Sequence, residues 1–337
     1  MTAVSLIDIF AAVPQLPAGD PDRPLYAVLP VPGQGSYFIG KDGDGHACLL
    51  VATTDRLGGL QPPIRLESLD VQFELHCHLR KDREPEREGT FTVIRCRSPD
   101  RETIRYFLSV CETILRIGGD QPTAREIAGA INRLAAIFQK MQRPPARPVN
   151  GLFGELYLLW RSANPVRAVA AWRSDDTARF DFSDGDIRLD VKTASGGLRV
   201  HTFSYEQCHP PPGTIAVVAS LFAERASGGI ALRSIIDEIA ARIAAHADLV
   251  FKFHEVISAT LGASLGEALS TRFDIKLADS SLRFFHLADV PAIRGSIPVG
   301  VSDVHFRSDL TAVAATAAQA LIDSDPVFWD LLPRTRA

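Results

Sequence analysis

The chain has 337 residues, 46% of them hydrophobic and 23% charged, which argues against intrinsic disorder and leaves room for one large or two ordinary domains. Its net charge of −4 argues against a uniformly basic nucleic-acid-binding protein, although positive charge can still be confined to one groove. Five scattered cysteines disfavour a disulfide framework or zinc ribbon, and the lack of a basic leader or long apolar run predicts a cytoplasmic protein without membrane contact.

Residues 1–98 are predicted to form a β-rich N-terminal domain, built as a small antiparallel sheet or sandwich. Short β-branched or alternating runs are separated there by turn formers such as Pro32-Gly33 and the Asp42–Gly45 cluster. The predicted strands are Tyr26–Val31, Ser36–Ile39, His46–Thr53, Val71–Leu79 and Thr90–Cys96.

A helical connector is predicted over residues 99–147. Its helices are Thr103–Ile117 and Ala124–Met141, and Thr123 with Glu126 has the spacing of a capping box. A proline-rich stretch then ends the second helix.

Residues 148–337 mix helices and strands in an α+β or α/β order, which predicts a central mixed β-sheet flanked by helices. The first element is the helix Gly151–Ala163, with Asn150 as its expected cap. The later predicted strands are Val166–Trp172, Arg179–Phe182, Ile187–Thr193, Thr214–Phe222, Phe273–Leu277 and Leu282–Leu287, and the later predicted helices are Ser204–Cys208, Ile235–Ala245 and Thr311–Ile322.

The charged residues between 179 and 193 have the pattern of a tight hairpin. Asp184-Gly185 is a strong signal for a two-residue turn. A turn there places Asp181, Asp190 and Lys192 on one face, with the two carboxylates as diagonal neighbours roughly 7–8 Å apart. The other face is apolar and is predicted to be the core side; it comprises Phe180, Phe182, Ile187, Leu189 and Val191.

Two carboxylates beside an ammonium are suited to metal-assisted phosphodiester hydrolysis. A Mg²⁺ ion on Asp181 and Asp190 would polarise a phosphate and make its bound water more acidic. Lys192 would add positive charge where negative charge develops. Glu155 falls at the edge of the apolar stripe of its predicted helix, so its carboxylate can reach the same metal.

This order of elements resembles the PD-(D/E)XK nuclease superfamily, the fold of many restriction endonucleases. The stretches Gly-Leu-Phe-Gly-Glu-Leu at 151–156, Phe-Asp-Phe at 180–182 and Leu-Asp-Val-Lys-Thr at 189–193 are similar to one branch of it. That branch has no known function and is encoded among bacterial phage-defence and restriction-type genes. The close resemblance spans about residues 148–222.

The resemblance implies a role for each matching residue: Asp181 and Asp190 as metal ligands, Lys192 as the catalytic lysine, and Glu155 as an accessory ligand. Gln207 is implied as an accessory site residue. The resemblance further implies a Mg²⁺- or Mn²⁺-dependent endonuclease, acting on DNA in a restriction-like or phage-defence system. Partner proteins from a defence gene cluster and a homodimer are expected in such a system. The chain departs from the pattern in having Phe180, not proline, before Asp181, and a short gap to Asp190.

Basic residues near these segments are candidates for a phosphate track. Arg143 and Arg147 lead into the first helix of the last segment, and Arg188, Arg199 and His201 lie on or after the hairpin. A solvated helix end explains the first two equally well.

Several alternatives stay open at this level. An Asp-x-Lys spacing alone is weak, since Asp274-Ile-Lys276 repeats it and is predicted to be an ordinary strand; Asp42-x-Asp44 is predicted to be a turn. The hairpin charges could be solvated ion pairs of small energetic value. The chain could also be a catalytically silent nuclease-fold subunit that binds DNA or assembles with proteins through its β-rich half, or an unrelated α/β protein.

Overall fold

The computed structural model describes residues 5–15, 24–59, 61–81, 85–175 and 177–333. They form a mixed α+β protein with a β-rich N-terminal region, which confirms the predicted fold class. The chain divides into two compact units: one comprises residues 1–144 and 262–266, the other residues 145–261 and 267–337. The division into functional segments at residues 98 and 147 stays a prediction.

The first unit is built on a sheet that closes on itself. Its strand order is β1-β2-β3-β6-β5-β4, and β1 also pairs in parallel with β5. The elements are α1 (Leu6–Ala12), β1 (Leu25–Val31), β2 (Gln34–Lys41), β3 (Ala47–Val51), β4 (Ile64–Arg65), β5 (Leu69–Arg80), β6 (Arg87–Cys96), α2 (Arg101–Gly118) and α3 (Ala124–Met141).

Strand alternation supplies the core of this unit. Every second side chain of the long strands is buried in one apolar cluster, with Tyr26 and Val28 from β1 facing Leu50 from β3. The predicted capping box of α3 is confirmed, because Thr123 accepts the Glu126 N–H while the Glu126 carboxylate accepts the Thr123 N–H.

The second unit contains a mixed sheet of order β13-β10-β8-β7, in which only β8 and β10 run parallel. Its elements, with α8 at the boundary of the two units, are α4 (Val149–Arg161), α5 (Pro165–Ala171), β7 (Phe182–Asp184), β8 (Ile187–Ala194), β9 (Val200–Ser204), β10 (Ile215–Phe222), β11 (Arg225–Ala231), α6 (Leu232–Arg242), α7 (Ala247–Leu261), α8 (Leu265–Ser270), β12 (Arg272–Phe273), α9 (Ile275–Ser281), β13 (Arg283–His286), β14 (His305–Asp309), α10 (Ala318–Ser324) and α11 (Val327–Leu331). Short 3-10 turns span Gly262–Ser264 and Leu287–Asp289.

Helix α4 packs closely on β8, and a glycine makes this approach feasible. A Cβ atom at Gly154 would lie 2.5 Å from the Thr193 side chain and 3.0 Å from that of Val191. The glycine before Glu155 therefore sets the distance between helix and sheet, and thereby the position of the Glu155 carboxylate.

The predicted strand Val166–Trp172 is wrong, because this segment is helix α5. Asn164 accepts the Arg167 N–H at 3.1 Å, and Pro165 occupies the first helical position. These start signals outweigh the two valines that suggested a strand.

The second Asp-x-Lys copy is also not the predicted strand. β12 ends at Phe273, and the Asp274 carboxylate caps α9 by accepting the Leu277 N–H at 3.0 Å. Asp274 is thus a helix cap. The predicted short helix Ser204–Cys208 is likewise wrong, since β9 runs to Ser204 and turns follow it.

The C-terminal helix starts later than predicted, at Ala318. Thr316 pairs with the sheet instead, its N–H donating to the Phe284 carbonyl at 2.7 Å, so tertiary pairing overrides the local preference for helix. Helix α4 starts from Pro148, so the expected cap Asn150 lies inside it and donates to the Ala223 carbonyl. Helix α7 was not predicted because its buried residues occupy most of its circumference.

All five cysteines are free and buried. In the part of the chain that the structure describes, every helix is too short or too polar to cross a bilayer.

Candidate metal centre

The candidate centre is organised by the hairpin of β7 and β8. Its pairs are Phe182 with Leu189, Ser183 with Arg188 and Asp184 with Ile187, so the two-residue loop is 185–186. The predicted turn at 184–185 is wrong by one residue. Gly185 has φ 54° and takes the first loop position, where a type II′ turn requires glycine. Side chains alternate along β8 wherever the turn lies, so Asp190 and Lys192 are still on the face opposite to Leu189 and Val191.

Asp181 lies just before β7 and caps the neighbouring strand. Its Oδ2 accepts the Val191 backbone N–H at 2.8 Å, at a point where β7 no longer supplies a carbonyl. The side chain is 6% exposed. This hydrogen bond places the Asp181 carboxylate beside Asp190 on the edge of β8.

The acids on the charged face of the hairpin are buried, and Lys192 beside them is half-buried. This face is covered by an apolar cluster that includes Phe180, Phe203 and Val218, and Val218 is the register partner of Asp190 on β10. Phe180 was expected on the opposite face with Phe182, and that prediction is wrong because the chain bends before β7. The burial of this face removes the alternative of exposed surface ion pairs.

Asp190 and Lys192 form an ion pair under this cover. Asp190 is 3% exposed, and the Lys192 Nζ lies 3.0 Å from its Oδ2 without meeting hydrogen-bond geometry. The Gln207 amide donates to Oδ1 at 3.0 Å and to the Arg179 carbonyl. Gln207 therefore fixes one carboxylate oxygen and leaves the other as a buried oxygen without a hydrogen bond.

Glu155 reaches the same region from α4 and is 2% exposed. Its Oε2 accepts the Trp172 indole N–H at 2.7 Å and the Arg173 Nε–H at 2.9 Å. Arg173, whose side chain is fully buried, also donates to the Thr260 hydroxyl on α7 at 2.8 Å. These contacts tie Glu155 into a structural network.

A second arginine connects Glu155 with Asp181. The Arg147 Nη1 lies 3.1 Å from Asp181 Oδ1 and 3.6 Å from Glu155 Oε1. A single guanidinium group therefore bridges two of the three candidate metal ligands.

Burial dominates the electrostatics of the acids. It raises the pKa of Asp190 to about 6, with the Lys192 charge opposing and the Asp181 charge adding to this rise. Burial also raises the pKa of Glu155 to about 7, the Asp181 charge adding to the rise and the Arg173 guanidinium opposing it. A cation that reaches these acids would lower the free-energy cost of ionising them.

The residues fit a sparsely coordinated Mg²⁺ ion. The ligand atoms of Glu155, Asp181 and Asp190 do not all lie within 4.8 Å of one another. Mg²⁺, however, commonly binds through one or two carboxylates and keeps several waters. The buried Asp190 Oδ2, which contacts only the Lys192 ammonium, is the atom that fits such an ion, and the Asp181 charge acts on the same carboxylate.

Among the described residues, three side chains with ligand atoms this close together lie in the first unit: Asp42, Asp44 and His46. Asp42 Oδ1 accepts the N–H groups of Asp44 and His46, and its Oδ2 lies 2.8 Å from the Arg95 Nε. These bonds are those of the predicted turn, and Arg95 already neutralises the most buried of the acids.

The basic residues predicted to contact nucleic acid have structural contacts. Arg188 donates to the Gly185 and Ile187 carbonyls, and Arg199 donates to the Ser220 carbonyl and hydroxyl. His201 is buried against the Ser220 hydroxyl at 2.8 Å. Burial, with the charges of Lys192 and Arg199, lowers the His201 pKa to about 4, so this side chain carries no charge at neutral pH. Arg143 is exposed and belongs to the first unit, and its nucleic-acid contact stays a prediction.

The hairpin and Glu155 were accessible to sequence reasoning, whereas Trp172, Arg173 and Thr260 were not identified as part of this region. A signal for the first two existed in the Asn164-Pro165 helix start, which places Trp172 directly after a short helix. Thr260 lies on the unpredicted helix α7, so no local pattern indicated it.

Comparison with known protein families gives a match that covers the whole of this region. A family model with the description "Putative PD-(D/E)XK family member, (DUF4420)" matches residues 20–311. No curated protein and no solved structure matches the chain. The matched span includes every residue of the candidate centre.

Proposed function

The chain belongs to this DUF4420 family of PD-(D/E)XK proteins, and from that premise we propose that it is a Mg²⁺-dependent DNA endonuclease. Family membership indicates a nuclease-type function, a nucleic-acid substrate and the use of a divalent metal. The single observation that carries the finer proposal is the buried Asp190 carboxylate, whose Oδ2 is paired with the Lys192 ammonium at 3.0 Å and has no other hydrogen-bond partner among the described residues. Burial raises the pKa of Asp190 to about 6 despite this ion pair, so ionisation of the carboxylate remains costly and a further cation beside it would lower that cost.

The contacts of each residue indicate its proposed role. Asp181 and Asp190 would hold the ion, with Glu155 as an accessory acid. When bound, Mg²⁺ supplies Lewis acidity toward the phosphate and a more acidic water. Lys192 places a fixed positive charge beside Asp190, where negative charge develops on the phosphate oxygens. Gln207 orients Asp190 by donating to Oδ1, which would leave Oδ2 available to the ion.

The test is cleavage of supercoiled plasmid DNA in Mg²⁺ or Mn²⁺ by wild type and by Asp190→Asn. The asparagine keeps an oxygen for Gln207 and loses the charge that holds the ion. We expect nicked or linear DNA with the wild type and intact plasmid with the variant. Equal cleavage by both proteins, or no cleavage of double-stranded DNA, single-stranded DNA or RNA by the wild type, would refute the proposal.

A specific observation favours a second candidate, a catalytically silent subunit that binds DNA or assembles with partner proteins. Arg173 and Arg147 already pair with Glu155 and Asp181, which is an arrangement that can stabilise the fold without a metal. In this case calorimetry would detect no Mn²⁺ binding, and the Asp190→Asn variant would retain full biological function.

The biological setting is part of the proposal. We place the protein in a restriction-like or phage-defence system with partner proteins, acting on both DNA strands as a homodimer, since enzymes that cut both strands often pair two sites. Phage infection assays of cells that carry the wild-type or Asp190→Asn gene, with sedimentation of the purified protein, test the setting and the oligomeric state separately.

A further inference from the structure

We propose that Arg147 is a displaceable counter-cation of the candidate metal centre: its guanidinium holds Asp181 in the metal-free protein and leaves it when a divalent cation binds. Arg147 is then a positioning residue that sets metal affinity. This inference rests on the proposed metal-dependent function.

The first step is the position of the guanidinium. Arg147 Nη1 lies between two acids, 3.1 Å from Asp181 Oδ1 and 3.6 Å from Glu155 Oε1. A cation that bridges two carboxylates occupies the kind of place that a divalent ion takes when two carboxylates bind it. The other Asp181 oxygen is already used by the Val191 N–H, so Oδ1 is the atom for which arginine and metal compete.

The second step is the contrast between the two arginines of the network. The Arg173 side chain has no exposed surface and is fixed by Glu155 and Thr260. The Arg147 side chain is 29% exposed, so it can move into solvent at a small cost in desolvation. Its backbone is held by the Thr260 carbonyl, so the side chain can move while the chain stays in place.

The third step is charge balance. Glu155 and Asp181 carry two negative charges when ionised, and Arg147 and Arg173 carry two positive charges beside them. A dication added to this set would leave a surplus of positive charge in a buried region, where like charges repel strongly. Departure of Arg147 removes that repulsion and makes the Arg147 guanidinium available to a substrate phosphate.

The experiment is calorimetric titration of Mn²⁺ into the metal-free full-length protein. We expect Arg147→Met to bind Mn²⁺ at least tenfold more tightly than the wild type, and Arg147→Lys, which keeps the charge, to change affinity less than threefold. The matched control is Arg167→Met in the same unit. Arg167 also bridges two acids, Asp184 and Asp330, and its removal should leave the Mn²⁺ affinity unchanged.

Thermal melting provides a second readout. In EDTA, Arg147→Met should melt below the wild type because two buried acids lose a counter-charge, and saturating Mn²⁺ should narrow this gap. Arg147→Gln, which keeps a donor for Asp181, replaces the methionine variant if that protein does not fold. Unchanged or weaker Mn²⁺ binding by the neutral variants overturns the inference.

The outcomes separate this inference from the proposed function. If the wild type and Arg147→Met bind Mn²⁺ equally while Asp190→Asn does not bind it, only the role of Arg147 fails. If no variant binds Mn²⁺, the inference and the metal-dependent function fail together.

Discussion

Asp181 accepts the backbone N–H of Val191 through Oδ2 at 2.8 Å, so a side chain completes β8 at the point where its partner strand ends. The same carboxylate offers Oδ1 to the Arg147 guanidinium. Asp181 thus has a structural and an electrostatic role at once, and substitutions can separate the two.

Asp181→Ala should lose both cleavage and stability. It leaves a buried N–H without an acceptor, which costs about 1–3 kcal/mol. Asp181→Asn keeps an oxygen for Val191 and should recover most of that stability while remaining inactive, because the charge that holds the metal is lost. Urea denaturation and plasmid cleavage measure the two effects. Equal destabilisation by both substitutions would mean that the hydrogen bond to Val191 contributes little.

Lys192→Met should reduce cleavage by a factor of about 100 or more, since one positioned electrostatic group commonly contributes about 10²–10³ to a rate. The variant should still bind Mn²⁺, because Asp181 and Asp190 remain. The control is Lys276→Met, which removes the lysine of the second Asp-x-Lys sequence at an exposed position of α9. Full activity of the control alongside loss in Lys192→Met would tie the effect to the hairpin. Equal activity of both variants would exclude Lys192 from the chemistry.

Glu155→Ala should destabilise the protein by about 3–5 kcal/mol, because it leaves the fully buried Arg173 guanidinium and the Trp172 indole N–H without their acceptor. Chemical denaturation measures this effect, and Mn²⁺ titration of the same variant shows whether Glu155 is also a ligand. A stable variant with weakened Mn²⁺ binding would contradict the structural role and favour that of an accessory ligand.

The charged face of the hairpin could be predicted because strand alternation constrains it strongly. Placing Asp190 and Lys192 together requires only that Leu189 and Val191 be buried, and both are. The position of the turn was less constrained, since Gly185 suits either loop position of a two-residue hairpin, and the choice depended on pairing outside the loop.

The arginine network could not be predicted by the same reasoning. Arg173 contacts Glu155 and Thr260, which are 18 and 87 residues away along the chain. Such contacts depend on the packing of α4 against α7, and no periodicity within one segment encodes that packing. The incorrect prediction of a strand in place of α5 also kept Arg173 from being identified, because a strand there would have oriented the Arg173 side chain differently.

The pH dependence of stability provides the last prediction. Burial raises the pKa of Asp190 from 3.8 to about 6, so the folded protein retains this proton when the unfolded chain has lost it. Asp190 therefore contributes most to the free energy of unfolding below about pH 4. This contribution is lost as the pH rises from about 4 to about 6. Asp190→Asn removes this contribution and keeps the oxygen that Gln207 contacts.

Measured in EDTA, Asp190→Asn should melt close to the wild type at pH 4 and roughly 6–12 °C above it at pH 8. The rise in pKa from 3.8 to about 6 corresponds to about 3 kcal/mol, and each kcal/mol to about 2–4 °C in a unit of this size. With saturating Mn²⁺ at pH 8 the order should reverse, because only the wild type gains the binding energy of the ion. Protons compete with the metal for the same carboxylate, so Mn²⁺ binding by the wild type should weaken between pH 7 and pH 5. Parallel melting curves for the two proteins across this range would show that the buried charge of Asp190 is fully compensated by Lys192 without a metal.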